Sequence, residues 1–342
     1  MRIAITGGAG FIGSHLTRAY LDAGHDVIVI DTLVNGSRKA LDPRARFYPM
    51  DIRDGKLQIL LQMERPDLLS HHAAQREYVL PGEKSLADAD VHVRGLLNVL
   101  DSCASASVRK VIFASGGNSL YGCVSAEQLP VTEDFKPCPQ RPCDITKVAG
   151  EWYVRYYASQ YGLTYTILRY ADVYGETDDE MAHHPLSYFV RMLSDEKRPV
   201  IRGTARERRD HVFIDDVVRA NLYALERGRN VTLHISSGQG YTLERFYQEA
   251  AHLLGSKITP TYLSRVSMDD SLQEASSIVL DNRLAGRILH WRPEIDFEDG
   301  VRFAVERLRV PVSKKLPVQS TRLVEAPALE PGVVDALATT RL

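Results

Sequence analysis

The chain has 342 residues, 44% hydrophobic and 25% charged, which excludes whole-chain disorder, a collagen-like repeat and a disulfide scaffold. Its 42 Lys and Arg against 44 Asp and Glu give a formal net charge of −2, so no field favours nucleic acid or an anionic membrane. At this length one large domain or two fused ones are expected.

The first predicted strand, Ile3–Thr6, starts almost at Met1, with no charged-then-apolar leader before it, so no signal peptide is expected. Directly after it comes Thr6-Gly7-Gly8-Ala9-Gly10-Phe11-Ile12-Gly13, which opens the first predicted helix, His15–Ala23. Gly7 allows a tight turn, Gly10 lets backbone approach a pyrophosphate, and Gly13 permits close helix–strand packing. The helix start at Phe11 and Ile12 then offers free N–H groups and a positive dipole end to phosphate. Asp31 ends the second strand, Asp26–Asp31, where a carboxylate accepts from adenosine ribose hydroxyls and repels a 2′-phosphate. NAD is therefore favoured. Asn35, Ser37 and Arg38 follow in the loop, and Arg38 keeps NADP open as a second cofactor.

Further strands are predicted at Ala45–Tyr48, Leu68–His71, Lys110–Ala114 and Tyr165–Tyr170, with helices at Asp88–Ser102 and Thr146–Gln160. The alternation predicts an α/β fold: a Rossmann-type doubly wound parallel sheet with a smaller mixed α/β C-terminal substrate region. The expected division is 1–170 for the dinucleotide-binding domain, with later segments returning to it, 171–310 mainly for substrate, and 311–342 as a Pro-containing tail. Helices are placed near Leu186–Leu193, Asp215–Glu226, Leu243–Leu254 and Phe297–Leu308. His183-His184, beside Asp178, Asp179 and Glu180, lacks fixed ligand geometry, so no metal is expected; a surface loop is the reading, a substrate-facing lid the alternative. Cys103, Cys123, Cys138 and Cys143 form no CxxC pair, and no apolar run reaches the roughly 20 residues that span a bilayer, so a cytoplasmic protein with reduced thiols is expected.

The glycine motif, with Asp51–Asp54, His72–Gln75, Phe113–Gly122, Lys147–Glu151, Arg169–Gly175 and Arg209–Asp216, resembles the extended short-chain dehydrogenase/reductases, above all their sugar-nucleotide epimerase and dehydratase branch. The resemblance covers roughly residues 1–308. It implies cofactor contacts from Asp51, Ile52, Ala73, Ala74, Gln75, Lys147, Tyr170 and Val173, and substrate contacts from Gln75, Tyr121, Asp172 and Arg209. It also implies a Tyr-x-x-x-Lys pair with a nearby Ser or Thr for acid–base work beside the nicotinamide. A homodimer across the Asp88–Ser102 and Thr146–Gln160 helices fits the resemblance, while Trp152, Tyr153, Tyr156 and Tyr157 are assigned to the core.

The departures shape the functional expectation. Cys143 stands at the Tyr position, Gly116 at the Ser/Thr position and His92 at a usual Asn; Lys147 is kept. A thiol is too short and too weak a donor to replace a phenol. Ser115 and Asn118 flank Gly116 and are the remaining candidates, with Lys147, for catalysis. Asp172 replaces an Asn that contacts diphosphate in the family, and Glu176-Thr177 replaces a Pro-Arg, whereas Arg209 keeps one anion-binding cluster with Arg206 and Arg208. These losses resemble the atypical ketoreductases of simocyclinone type, which lack the tyrosine. The expectation is thus an NAD(P)H-dependent oxidoreductase, a ketoreductase of antibiotic biosynthesis reducing a bulky aromatic polyketide-like small molecule. A nucleotide-sugar 4-epimerase or dehydratase and an inactive NAD(P)-binding sensor are the alternatives.

Overall fold

A computed structural model describes residues 1–75, 85–176, 184–202, 207–263 and 277–309. The tail, Asp178–His183, Arg206 and most of the acidic 269–280 stretch lie outside the described residues.

The first strands are β1 (Arg2–Thr6), β2 (Asp26–Asp31), β3 (Arg46–Pro49), β4 (Leu68–His71), β5 (Lys110–Gly116) and β6 (Thr164–Tyr170). With β10 (Val231–Ile235) they form a seven-stranded sheet of order β10-β6-β5-β4-β1-β2-β3, every pairing parallel. Ile3, Ile5, Val27, Val29, Leu69, Val111 and Ile112 are all buried, as strands covered on both faces require. Helices α1 (Phe11–Asp22) and α7 (Ile214–Glu226) pack on one face; α2 (Lys56–Glu64), α4 (Leu96–Ser105) and α5 (Pro142–Tyr161) pack on the other. The chain order reverses between β1 and β4. A crevice therefore opens beyond their carboxyl ends, where Gly7–Gly13 and His72–Gln75 lie.

A smaller region covers that crevice. It holds a three-stranded sheet of order β11-β9-β7, from β7 (Asp172–Tyr174), β9 (Arg209–Phe213) and β11 (Gly240–Tyr241). Beside it lie α6 (Pro185–Ser194), α8 (Leu243–Leu254) and α10 (Phe297–Arg309), and the short pair β8 (Val200–Arg202) and β12 (Thr261–Leu263), whereas α9 (Arg283–Leu289) packs on β10 and α7.

Three differences from the sequence reading have physical causes. The single helix expected over Asp88–Ser102 is α3 (Ser85–Ala89), a π-helical turn over Asp90–Gly95 and then α4; hydrophobic period alone does not register such a widening. Helix α2 was not anticipated, because its Leu57, Leu60 and Leu61 face lies in a short polar-flanked run. Of the four aromatics assigned to the core, only Tyr157 is buried, at 6% exposure; Trp152 stands at 68% and Tyr156 at 54%, with Tyr153 also exposed. The sheet side of α5 is filled instead by Gly150, Glu151, Val154 and Tyr157.

Candidate active site

The cofactor cradle is built from close backbone approach. A Cβ on Gly13 would sit 2.0 Å from the Gly7 carbonyl oxygen, and one on Gly7, whose φ is +72°, would sit 2.6 Å from the Ala73 nitrogen. Only glycine lets α1, the turn after β1 and the turn after β4 converge here. Gly10 is the N-cap of α1 and makes no side-chain cap, so the first-turn N–H groups at Phe11, Ile12 and Gly13 face the crevice without intrahelical acceptors. Asp31 accepts from Ala9 N–H at 3.0 Å and Leu33 N–H at 2.8 Å, one on each oxygen. A carboxylate offers about four acceptor sites, so two remain for a ribose diol. Burial raises its pKa against those two bonds. This cradle fits NAD. Ser37 is buried and accepts from Lys39 N–H, whereas Asn35 and Arg38 are exposed at its rim. Ile52 is buried beneath; Asp51 is held by Arg53 at 2.6 Å, and Arg53 in turn pairs with Asp90.

At the carboxyl end of β5, the Lys147 Nζ donates to the Ala114 carbonyl at 2.9 Å. Burial pushes its pKa down to about 8, opposed by the carboxylate of Asp88 and by Cys143 and Glu151. His92 lies beside it. Gln75 N–H donates to His92 Nε2 at 2.9 Å, which leaves the ring proton on Nδ1, 3.0 Å from Asp88. Thr146 Oγ1 donates to the same Asp88 at 2.8 Å. Burial lowers the His92 pKa to about 4, so the imidazole is neutral. This Asp88–His92 pair was not foreseen, although its i, i+4 spacing was available as a signal. Ala73 and Ala74 complete the turn between β4 and Gln75. Tyr170 is buried, its ring stacked near His72 and its hydroxyl donating to Asn221 at 3.1 Å, and Val173 on β7 is half-buried against the same core.

Several candidates are turned elsewhere. Ser115 is buried and donates to Glu151 at 2.7 Å, within a closed network in which Arg169 grips Glu151 at 2.8 and 2.7 Å. Tyr121, expected at the substrate, is 1% exposed, and its hydroxyl is shared between Arg169 at 2.8 Å and His234 at 2.5 Å. Asn118 is buried and donates to the Asp210 carbonyl at 2.6 Å. Ser115 and Tyr121 thus serve the core, and neither offers a hydroxyl to the crevice. Cys143 is half-buried; burial and then Asp144 raise its pKa, which keeps it a thiol.

The anion-binding cluster also takes a different form. Arg209 is bound to Asp172, Nε to Oδ2 at 2.6 Å and Nη2 to Oδ1 at 3.2 Å. Burial would raise the Asp172 pKa, but Arg209 overrides it and holds the carboxyl well below the usual range. Glu176 does not face this place. It lies 3.3 Å from His15 and 2.8 Å from Arg307, tying α1 to α10, so its charge is no argument against a diphosphate. His184 Nε2 lies 3.1 Å from His211 Nδ1, which makes His184 part of an aromatic interior with Tyr174 and Phe246 rather than of a surface loop. Among the described residues no group of three or more His, Cys, Asp or Glu is arranged to hold a metal ion, and no helix is long and apolar enough to cross a membrane.

Fold and site together define a Rossmann-type enzyme of the extended short-chain dehydrogenase kind, with a dinucleotide cradle. The chain belongs to the NAD dependent epimerase/dehydratase family, which matches residues 3–235. It is 33% identical to a putative UDP-glucose 4-epimerase of Methanocaldococcus jannaschii over 310 residues, 90% of this chain and 98% of that protein. The UDP-glucose 4-epimerase of Thermotoga maritima, solved with UDP-glucose, superposes with a TM-score of 0.85 at 34% identity, covering 90% of this chain and 99% of the other. That of Thermus thermophilus, solved with NAD, gives 0.83 at 30% identity, covering 91% and 99%. These relatives overturn the expected ketoreductase of simocyclinone type, and with it the oxidoreductase and antibiotic-biosynthesis reading: they are isomerases of nucleotide sugars. NAD, favoured through Asp31, is the cofactor of the family.

Proposed function

We propose that this chain is an NAD-dependent 4-epimerase of a UDP-hexose. The observation that carries the reading is the match to UDP-glucose 4-epimerases along about nine-tenths of the chain. NAD, when bound, would supply reversible hydride transfer at the sugar carbon. Gly7–Gly13 and Asp31 would hold its pyrophosphate and adenosine ribose, and Asp51, Ile52 and Ala73–Gln75 would close around the rest. Lys147 takes the proton of the sugar hydroxyl and gives it back. Its lowered pKa, about 8, supplies neutral amine near neutral pH, which an ordinary lysine would not. We further propose a cytoplasmic homodimer joined through the exposed Trp152, Tyr153 and Tyr156 face of α5.

The test is incubation of the NAD-loaded protein with UDP-galactose, with the UDP-hexoses separated by chromatography. UDP-glucose appearing toward equilibrium supports the reading. No interconversion of UDP-galactose, UDP-N-acetylglucosamine or UDP-glucuronate refutes it. One observation favours a second reading, an NAD-binding protein without turnover: a thiol and a glycine stand where the family has a phenol and a hydroxyl. Tight NAD binding with no product from any of these sugars is its expected outcome.

A further inference from the structure

Three features of the substrate side lie close together on β7 and β9 and beside them. The first is the two-point Asp172–Arg209 pair, at 2.6 and 3.2 Å. The two side chains keep 34% and 31% of their surface, so the pair lies at the crevice and not in the core. The second is further carboxylate around it: Glu207 lies 3.7 Å from Arg209, and Arg141 beside it is bound to Asp144 at 2.7 Å.

The third feature is an unfilled donor. Asp172 and His211 are register partners on β7 and β9. Leu186 N–H donates to His184 Nδ1 at 3.1 Å, so the His184 proton sits on Nε2 and is given to His211 Nδ1. The His211 proton therefore lies on Nε2. That atom is buried and has no partner among the described residues. A buried N–H without an acceptor costs free energy until a ligand oxygen meets it.

We propose that Asp172 is a specificity-determining residue, an internal anion that already occupies Arg209 and competes there with the phosphates of the substrate. The inference rests on the nucleotide-sugar reading. Arg209 presents the planar fork that grips phosphate in two-point fashion, and Asp172 fills that fork. An incoming diphosphate must displace the carboxylate and then share the crevice with it. The site consequently draws its selectivity from uncharged parts of the ligand, which meet donors such as His211 Nε2, and gains little from the phosphates. This sets the chain apart from a site in which an uncharged side chain leaves the arginine open.

Calorimetric titration of the NAD-loaded protein tests this, with uridine and UDP as probes. In the unaltered protein UDP is expected to bind no more than about tenfold tighter than uridine. Asp172→Asn is expected to tighten UDP binding about tenfold, equivalent to about 1.4 kcal/mol, and to leave uridine and NAD affinities unchanged. Asp172→Glu, which keeps the charge, is expected to behave like the parent. The proposal is overturned if Asp172→Asn binds UDP no tighter while its NAD affinity is intact. Should that variant not fold, the parent alone decides: UDP binding a thousandfold tighter than uridine overturns the proposal. Binding of neither uridine nor UDP overturns the nucleotide-sugar reading as well, whereas binding of both without a gain in Asp172→Asn overturns this inference alone.

Discussion

The proposed base, Lys147, gives the sharpest prediction. A base must be unprotonated to accept the sugar hydroxyl's proton, so activity should follow the neutral fraction of Lys147. With its pKa near 8, about one-tenth is neutral at pH 7 and about nine-tenths at pH 9, so the epimerisation rate rises roughly tenfold between them and then levels. The sign is fixed by the cause. Burial disfavours the ammonium, and the carboxylate of Asp88 restores part of it. Asp88→Asn therefore moves the midpoint to lower pH. Lys147→Arg still donates to the Ala114 carbonyl but stays charged, and its rate falls by about 10²–10⁴ at every pH. Cys143→Ala moves the midpoint in the same direction as Asp88→Asn but by less, since Cys143 opposes the effect of burial more weakly than Asp88 does. The assay is initial rates of UDP-hexose interconversion across pH 6 to 10 at saturating substrate. A flat profile, or a Lys147→Arg variant as active as the parent, refutes the assignment.

Three further outcomes are expected. Gly13→Ala forces a Cβ to 2.0 Å from a backbone oxygen that has no rotamer to escape into; thermal unfolding should show a loss of about 1–3 kcal/mol, and titration should show NAD affinity falling at least about tenfold. Arg169→Met strips the buried Glu151 of its main partner and should cost about 3–5 kcal/mol in chemical denaturation, whereas an exposed pair such as Lys197–Asp195 should cost no more than about 1 kcal/mol. Trp152→Ser combined with Tyr156→Ser should convert the dimer to monomer in sedimentation without changing the helical signal; a parent that sediments as a monomer contradicts the dimer proposal.

The strand–helix alternation and the glycine motif were legible because each rests on a local rule. Period-2 apolar runs mark strands, and three glycines at fixed spacing mark a close backbone approach that only the bare residue permits. Pairings across the fold carried no such mark. Ser115 reads as a candidate proton donor until Glu151, one turn beyond Lys147, is found against it. Glu176 reads as a repulsive charge near a diphosphate until His15 and Arg307 converge on it. Asp88 and His92 stood at helical spacing, but their relation to Gln75 depends on a π-helical turn that hydrophobic period does not reveal. The lack of a phenol at Cys143 and of a hydroxyl at Gly116 is plain in the sequence. Reading it as a change of reaction goes too far, because residue losses at one end of a site say nothing about the ligand that the rest of the site holds.

The central claim is that hydride leaves one carbon of a nucleotide sugar and returns to the same carbon within a single site. UDP-glucose carrying deuterium at carbon 4, incubated with the NAD-loaded protein, tests it directly. UDP-galactose that retains the deuterium at carbon 4, measured by mass spectrometry and proton NMR, is the predicted result. Deuterium lost to solvent, or no UDP-galactose at all, contradicts the account.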